Sequence, residues 1–229
     1  GTRGLDFRFQ SAVMPILVLN IIVFVVQSIL GPGFTESFML VSGDVLARPW
    51  ILLTSMFLHA NTLHLLFNMY ALFLFGSLIE QRIGPRRFLL IYLVAGLVAA
   101  AVSTQFYEAA LGASGAVTGI LGVTIMLMPD LRVLLLFAIP MSMRTAGIIF
   151  AIIEIFGVFT PSGVANIAHL VGLGCGLAYG YYLLRKQRGF SRRFSEKSGE
   201  RAKAAGVKGH EGMEMSQEDA DDYLRYGRI

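Results

Sequence analysis

The chain is poor in charge, and the shortage is uneven. Only 15% of its 229 residues are Asp, Glu, Lys or Arg, against about 25% in a soluble domain. Residues 1–184 contain no lysine, and only eight arginines and seven acids are spread through them. A stretch so depleted cannot clothe itself in hydrated side chains, which excludes a soluble globular body for this part. Cysteine is nearly absent as well. Cys175 stands alone inside an apolar run, so no disulfide within one chain and no thiolate metal cluster is possible. The four histidines are His59, His64, His169 and His210, and neither a metal nor a cofactor is expected. The net charge of +4 says little about nucleic acid, and no nucleic-acid partner is expected, because eleven of the basic residues and eight of the acids lie in 185–229.

What the chain has instead is oil. Its mean hydropathy is +0.65 and 55% of its residues are hydrophobic. A helix needs about 20 apolar residues to cross the hydrocarbon core. Runs at 12–30, 54–79, 88–106, 113–128, 145–159 and 165–184 predict six membrane helices, the fourth of them short. The first run is long enough to span and is followed by no small-residue cleavage site, so it reads as a helix and not as a removable signal. Residues 31–53, rich in Gly, Pro and charge, predict a long loop. The stretch 131–144, broken by Pro140 and bounded by arginines, predicts an interfacial connection. Three units follow: an N-terminus at 1–10, a membrane domain at 11–185 and a flexible tail at 186–229. Basic residues at 3 and 8, 82–87, 132–144 and 185–188 fall on one side of the six-helix plan, and only Arg48 falls on the other. The positive-inside bias then puts both termini in the cytoplasm.

Polar side chains inside such runs are costly and point to function. His64 and Asn68 are one turn apart, on one face of the second helix. A structural role as interhelical glue is the competing reading. His59 is off that face and reads as a tether for the loop. In the sixth run, His169 shares a face with Gly172, Gly176 and Gly180, whose spacing admits a close helix neighbour. An imidazole on a contact face must meet a polar partner, and Ser114 is the leading one. It lies in LGASGAVTGILG (111–122), at the start of the short fourth helix, among Gly112, Gly115, Gly119 and Gly122. The short helix puts Ser114 below the membrane surface, and its N-terminal amides favour a developing negative charge.

At this point the chain resembles the rhomboid family of intramembrane serine proteases. The resemblance is carried by HANTLHLLFNMYALFLFGSLIEQRIG (59–84), LGASGAVTG (111–119) and AHLVGLGCG (168–176), in that order. It implies an all-α, six-helix rhomboid bundle with a long outer loop after the first helix and a short central fourth helix. It implies a catalytic pair without a carboxylate, Ser114 as nucleophile and His169 as base, and no acid neighbours His169 in its own helix. It implies that Asn68 and His64 stabilise the oxyanion. The substrates implied are transmembrane helices of other proteins, reached within the lipid bilayer of the cell membrane. The segment 158–166 resembles the cap over the site, and the fifth helix the gate for substrate.

Three departures from the family pattern stand out. Trp50 is followed by Ile51 where an arginine is common, so the loop-bracing role is absent or passes to Arg48. Thr118 stands where an aromatic packs on the catalytic histidine. Glu154 lies mid-span in the fifth helix with no family role, either a bonded core acid or a polar residue near the gate. The runner-up function is a non-catalytic rhomboid-like protein that binds membrane substrates, but such relatives lose the serine or histidine and this chain keeps both. A transporter would show inverted repeats or a charge-lined path, and neither is seen. The sequence carries nothing on oligomeric state.

Overall fold

Helix boundaries in this chain follow its capping and breaking residues. The computed structural model describes residues 11–135, 138–160 and 163–204, with 190–204 by backbone only. Helix α1 (Val13–Leu30) ends at Gly31, and Pro32 opens α2 (Pro32–Phe38). Helix α3 (Ile51–Thr54) is a single turn. Helix α4 (Thr62–Ile83) begins where the Asn61 side chain accepts the His64 N–H, a conventional N-cap, and it contains a π-helical turn at Leu72–Gly76. It ends at Gly84, whose φ of 83° suits glycine, and Pro85 opens α5 (Pro85–Ser103). Then come α6 (Ser114–Leu127), α7 (Met143–Val158), capped by Ser142, and α8 (Asn166–Ala204).

Four stretches are long and apolar enough to cross a bilayer: Val13–Leu30, Thr62–Ile83, Pro85–Ser103 and Asn166–Gly189. At 14 residues, α6 is about 21 Å long, short of a hydrocarbon core of about 30 Å.

Several expectations need correction. The second helix starts at Thr62 and not at 54, because the Asn61 cap fixes the start and residues 51–57 form the α3 turn and a 3-10 turn. The 31–53 loop is largely ordered as α2, a 3-10 turn and α3. Arg48 braces it, pairing with Asp44 and donating from Nη1 to the Glu36 carbonyl at 3.2 Å. The fold is not purely helical. Strand β1 (Leu40–Val41) pairs antiparallel with β2 (Ala109–Ala110), and the interfacial stretch is a hairpin of β3 (Arg132–Leu135) and β4 (Ile139–Ser142). These short ribbons satisfy backbone groups in the connections between helices. The last helix does not end near 184 but continues to Ala204. Residues 185–204 hold many Lys, Arg, Glu and Ala, good helix formers, and no proline. The 1–10 segment and the tail after 204 lie outside the described residues.

Helix α6 is the centre. Ten of its fourteen residues are buried, against three of eighteen in α1. Its neighbours come so close that side chains have no room. A Cβ at Gly176 would sit 1.9 Å from the Gly119 carbonyl oxygen, and one at Gly172 would sit 2.1 Å from the Gly115 oxygen. Backbone therefore lies directly on backbone between α6 and α8, the arrangement small residues permit within membranes. On α6 itself the glycines divide between two neighbours. Gly122 faces α8, whereas Cβ atoms at Gly115 and Gly119 would strike Ala99 and Ala95 of α5 at 2.7 and 2.4 Å. Helix α6 is thus clasped from two sides.

Outside this core the helices present apolar side chains. Val18, Ile22 and Ile29 of α1, Leu66, Phe67 and Phe73 of α4, and Ile152, Ile153 and Phe156 of α7 are all exposed. Contiguous exposure of this kind suits a hydrocarbon solvent. Glu80, near the end of α4, reaches back to the start of α1. Its Oε2 accepts the Ser11 hydroxyl at 2.6 Å and its Oε1 the N–H groups of Ala12 and Val13. A carboxylate at a helix N-terminus satisfies orphan donors and meets the positive end of the dipole.

Two predictions follow from this packing. Gly176→Ala is expected to cost about 2–3 kcal/mol, because backbone cannot yield to the added methyl, while Gly174→Ala, with nothing within 4 Å, leaves stability unchanged or slightly raised. Thermal unfolding of the detergent-solubilised protein reads both. Glu80→Ala is expected to lower stability by about 1–2 kcal/mol through loss of the α1 cap, measured the same way.

Candidate active site

Ser114 is the first residue of α6, where first-turn N–H groups have no intrahelical acceptor. His169 sits one turn into α8. The close α6–α8 crossing brings the two together: His169 Nε2 and Ser114 Oγ are 2.8 Å apart, a hydrogen bond. The start of α8 is held from the other side by Tyr107, whose Oη accepts the Ile167 N–H at 3.0 Å. Tyr107 belongs to the segment that the β1–β2 ribbon anchors, through Ser42 N–H to the Glu108 carbonyl at 2.9 Å. The helix starts that carry Ser114 and His169 are therefore fixed by the same short connection.

His64 lies beside them. A Cβ at Gly112 would be 2.9 Å from His64 Nε2 and 3.7 Å from Ser114 Oγ. Gly112 has φ of 130°, which only glycine adopts readily, and its N–H donates to the Ser55 carbonyl at 2.9 Å. His64 Nδ1 accepts the Ala60 N–H at 3.4 Å, so the neutral ring carries its proton on Nε2, the edge turned toward Gly112. Asn68, one turn along α4, is buried, and its Nδ2 donates to the His64 carbonyl at 2.9 Å. The structure thus joins Ser114, His169 and His64 around Gly112, and commits one amide proton of Asn68 within its own helix.

His59 is a tether, through its backbone. Its N–H donates to Gln27 Oε1 at 3.2 Å and its carbonyl accepts Gln27 Nε2 at 3.0 Å, which ties the entry to α4 onto α1. The ring is fully buried and stands edge-on to His64 with centroids 5.1 Å apart. Burial first, and the His64 ring second, push His59 down to about 4, so it is neutral at physiological pH.

Two departures flagged in the sequence acquire a place. Thr118 does not touch the site with an aromatic substitute's role. Its Oγ1 donates to the Gly115 carbonyl at 3.0 Å and fills the crossing, 2.4 Å from where a Gly172 Cβ would be. Glu154, which from the sequence was either a bonded core acid or a polar residue near the gate, lies beside His169. Its Oε2 is 3.0 Å from His169 Nδ1 and accepts Asn166 Nδ2 at 2.7 Å. The acid comes from α7, a different helix, and inspection of His169's own helix could not find it. Asn166 and Tyr107 were also missed, since neither breaks the local pattern. Beside Ser114, a small cavity is lined by Gly96, Ala99, Ala100, Ala165 and Ala168 among others. Among the described residues no cluster of His, Cys, Asp and Glu suits a metal ion.

The family model described as Rhomboid domain matches residues 46–186. The chain is 35% identical over 152 residues to Rhomboid protease GluP of Bacillus subtilis, a match covering 64% of this chain and 28% of that protein. It is 34% identical over 161 residues to the mitochondrial RHOMBOID-like protein 6 of Arabidopsis thaliana, covering 68% of this chain and 51% of that one. A third relative, Putative rhomboid protease YdcA of Bacillus subtilis, is 33% identical over 141 residues, covering 60% of this chain and 69% of that one. The chain therefore spans about a quarter to a half of the first two relatives. Ser114, His169 and His64 all fall within the matched region, four helices are long and apolar enough to cross a bilayer, and the match takes in more than half of the chain: this is an integral membrane protein of the rhomboid family.

Proposed function

We propose that the protein is an intramembrane serine endopeptidase that cleaves transmembrane segments of other membrane proteins. The observation that carries this is the 2.8 Å contact between Ser114 Oγ and His169 Nε2. In the proposed reaction Nε2 takes the hydroxyl proton as Oγ attacks the scissile carbonyl carbon. The tetrahedral oxyanion forms beside the α6 N-terminus, where first-turn amides and the helix dipole favour negative charge. The His64 Nε2 proton, on the Gly112 side, is a second donor, and Asn68 supports it from one turn away. As the C–N bond breaks, His169 returns the proton to the leaving amine. A water activated by the same nitrogen then releases the acyl group from Ser114. The cavity beside Ser114, lined mostly by glycines and alanines, fits a small side chain at the cleaved position.

The membrane plan belongs to the same proposal. Helices α1 and α4–α8 make a six-helix bundle in the cell membrane with both termini cytoplasmic, supported by the arginine and lysine bias of the connections. Ser114 then lies below the outer surface at the end of the short α6. A substrate helix enters sideways between helices, with its extended segment sheltered by protein. Residues 161 and 162 of the expected cap lie outside the described residues.

Two measurements test the reading. A fluorophosphonate serine probe is expected to label the wild type and not Ser114→Ala, and cleavage of a transmembrane substrate is expected to fall by about 10³-fold or more in Ser114→Ala and in His169→Ala. Cleavage that survives Ser114→Ala removes the assigned nucleophile. His64→Ala is expected to lower kcat by about 10- to 10³-fold with little change in KM, as loss of one oxyanion donor does. Steady-state kinetics in proteoliposomes separates the two constants.

A further inference from the structure

A carboxylate on a lipid-facing helix needs partners. Along α7 the buried residues are Met143, Gly147 and Glu154, while Ile148, Ile152, Ile153, Ile155 and Phe156 are exposed. Glu154 turns inward from this apolar helix, and its carboxylate meets α8 at two residues, Asn166 and His169. From the other side of the ring, His169 Nε2 meets Ser114. The imidazole is therefore bracketed across its two nitrogens by a carboxylate and a hydroxyl.

We infer that Glu154 is the third member of this site, a positioning residue that holds the Nδ1 edge of His169 and stabilises the imidazolium formed when Nε2 takes the serine proton. This rests on the hydrolase reading above and deepens it. Nδ1 is buried and has no aligned hydrogen-bond acceptor, and the carboxylate at 3.0 Å lies off the ring N–H direction. An unsatisfied buried nitrogen is costly, and the Glu154 carboxylate is within reach of it. Contacts of this kind commonly tighten only in the reacting complex. With the Nδ1 proton held toward Glu154, Nε2 keeps the lone pair that accepts from Ser114. Asn166 fixes the carboxylate by donating to the same Oε2 at 2.7 Å. An added Cβ on Gly157 of α7 would sit 2.3 Å from the Asn166 amide, so that side chain is itself wedged between the helices.

The arrangement also accounts for Thr118. No aromatic stacks on His169 from that position, because Thr118 is bonded within α6 and faces Gly172. Here the ring is oriented along its edge by a charge. The proton balance is simple. The Ser114 proton moves to Nε2 on attack and from Nε2 to the leaving nitrogen on collapse, and Glu154 takes part in neither transfer. Because Ser114 and His169 ride on α6 and α8 while Glu154 rides on α7, displacement of α7 withdraws the carboxylate and leaves the other two in contact.

The test compares full-length wild type, Glu154→Gln and Glu154→Asp, reading kcat, KM, fluorophosphonate labelling rate and thermal midpoint. Gln keeps the shape and an acceptor for Asn166 but loses the charge. Glu154→Gln is expected to lower kcat and labelling rate at least about ten-fold, with KM within about two-fold and the midpoint near wild type. Glu154→Asp is expected to recover part of the rate. A Gln variant with wild-type kcat overturns the inference, as does an Asp variant no faster than Gln with both midpoints lowered, which marks a packing role. Should Glu154→Gln not yield folded protein, wild-type labelling by Glu154→Asp, whose charge sits farther from His169, overturns it instead. If the wild type neither labels nor cleaves, the hydrolase reading itself fails. If it labels at Ser114 and Glu154→Gln labels equally fast, only the role of Glu154 fails.

Discussion

Everything at the site depends on two helix backbones touching. In α6 and α8, the Gly115 and Gly119 carbonyls lie where Cβ atoms of Gly172 and Gly176 would be. Lipid gives apolar helices no hydrophobic reason to associate, so such contact is held by dispersion and fit. Its functional consequence is geometric. Ser and His side chains are short, and they reach hydrogen-bonding distance only if the helices that carry them come far closer than leucine-lined helices do. The glycines thus set how closely Ser114 and His169 approach.

The ends of the helices are tied with equal economy. Helix termini leave orphan donors and acceptors, and in an apolar body each needs a partner. Glu80 takes the first N–H groups of α1, Gln27 takes both backbone groups of His59, and Tyr107 takes the Ile167 N–H of α8. Each tie joins elements far apart in the chain, and each sets where a functional helix begins. The short β1–β2 ribbon works in the same way, holding the segment before Ser114 against the loop after α1.

How much of this was legible beforehand varies with the range of the interaction. The apolar runs and their Gly and Pro punctuation are local signals, and they located the helices that cross. The Gly-x-Ser-Gly element and the histidine with its glycine face were legible because helical periodicity is short-range. The second helix was started too early, because apolar character continues through residues 51–57 and only the Asn61 cap separates a 3-10 turn from the true helix. The ribbons were missed because two- and four-residue strands have no periodicity to read. The end of α8 was placed near 184 because the apolar run stops there, although helix propensity does not.

Composition and spacing alone therefore determined that this is a membrane chain, which of its residues are chemically capable, and that a serine helix and a histidine helix both carry glycine faces. Which capable residues meet was decided only by the tertiary structure. Glu154 was visible as an oddity in an apolar helix, yet its partner lies on another helix, and the rotation of α7 about its own axis is set by packing rather than by its sequence. The direction of the Gly115 and Gly119 faces toward α5, the hydrogen bond that turns Thr118 away, and the carboxylate placed at the back of His169 all arise from how three helices nest around α6. A one-dimensional pattern gives the face of a helix, and the neighbour that face will meet is fixed only when the bundle closes.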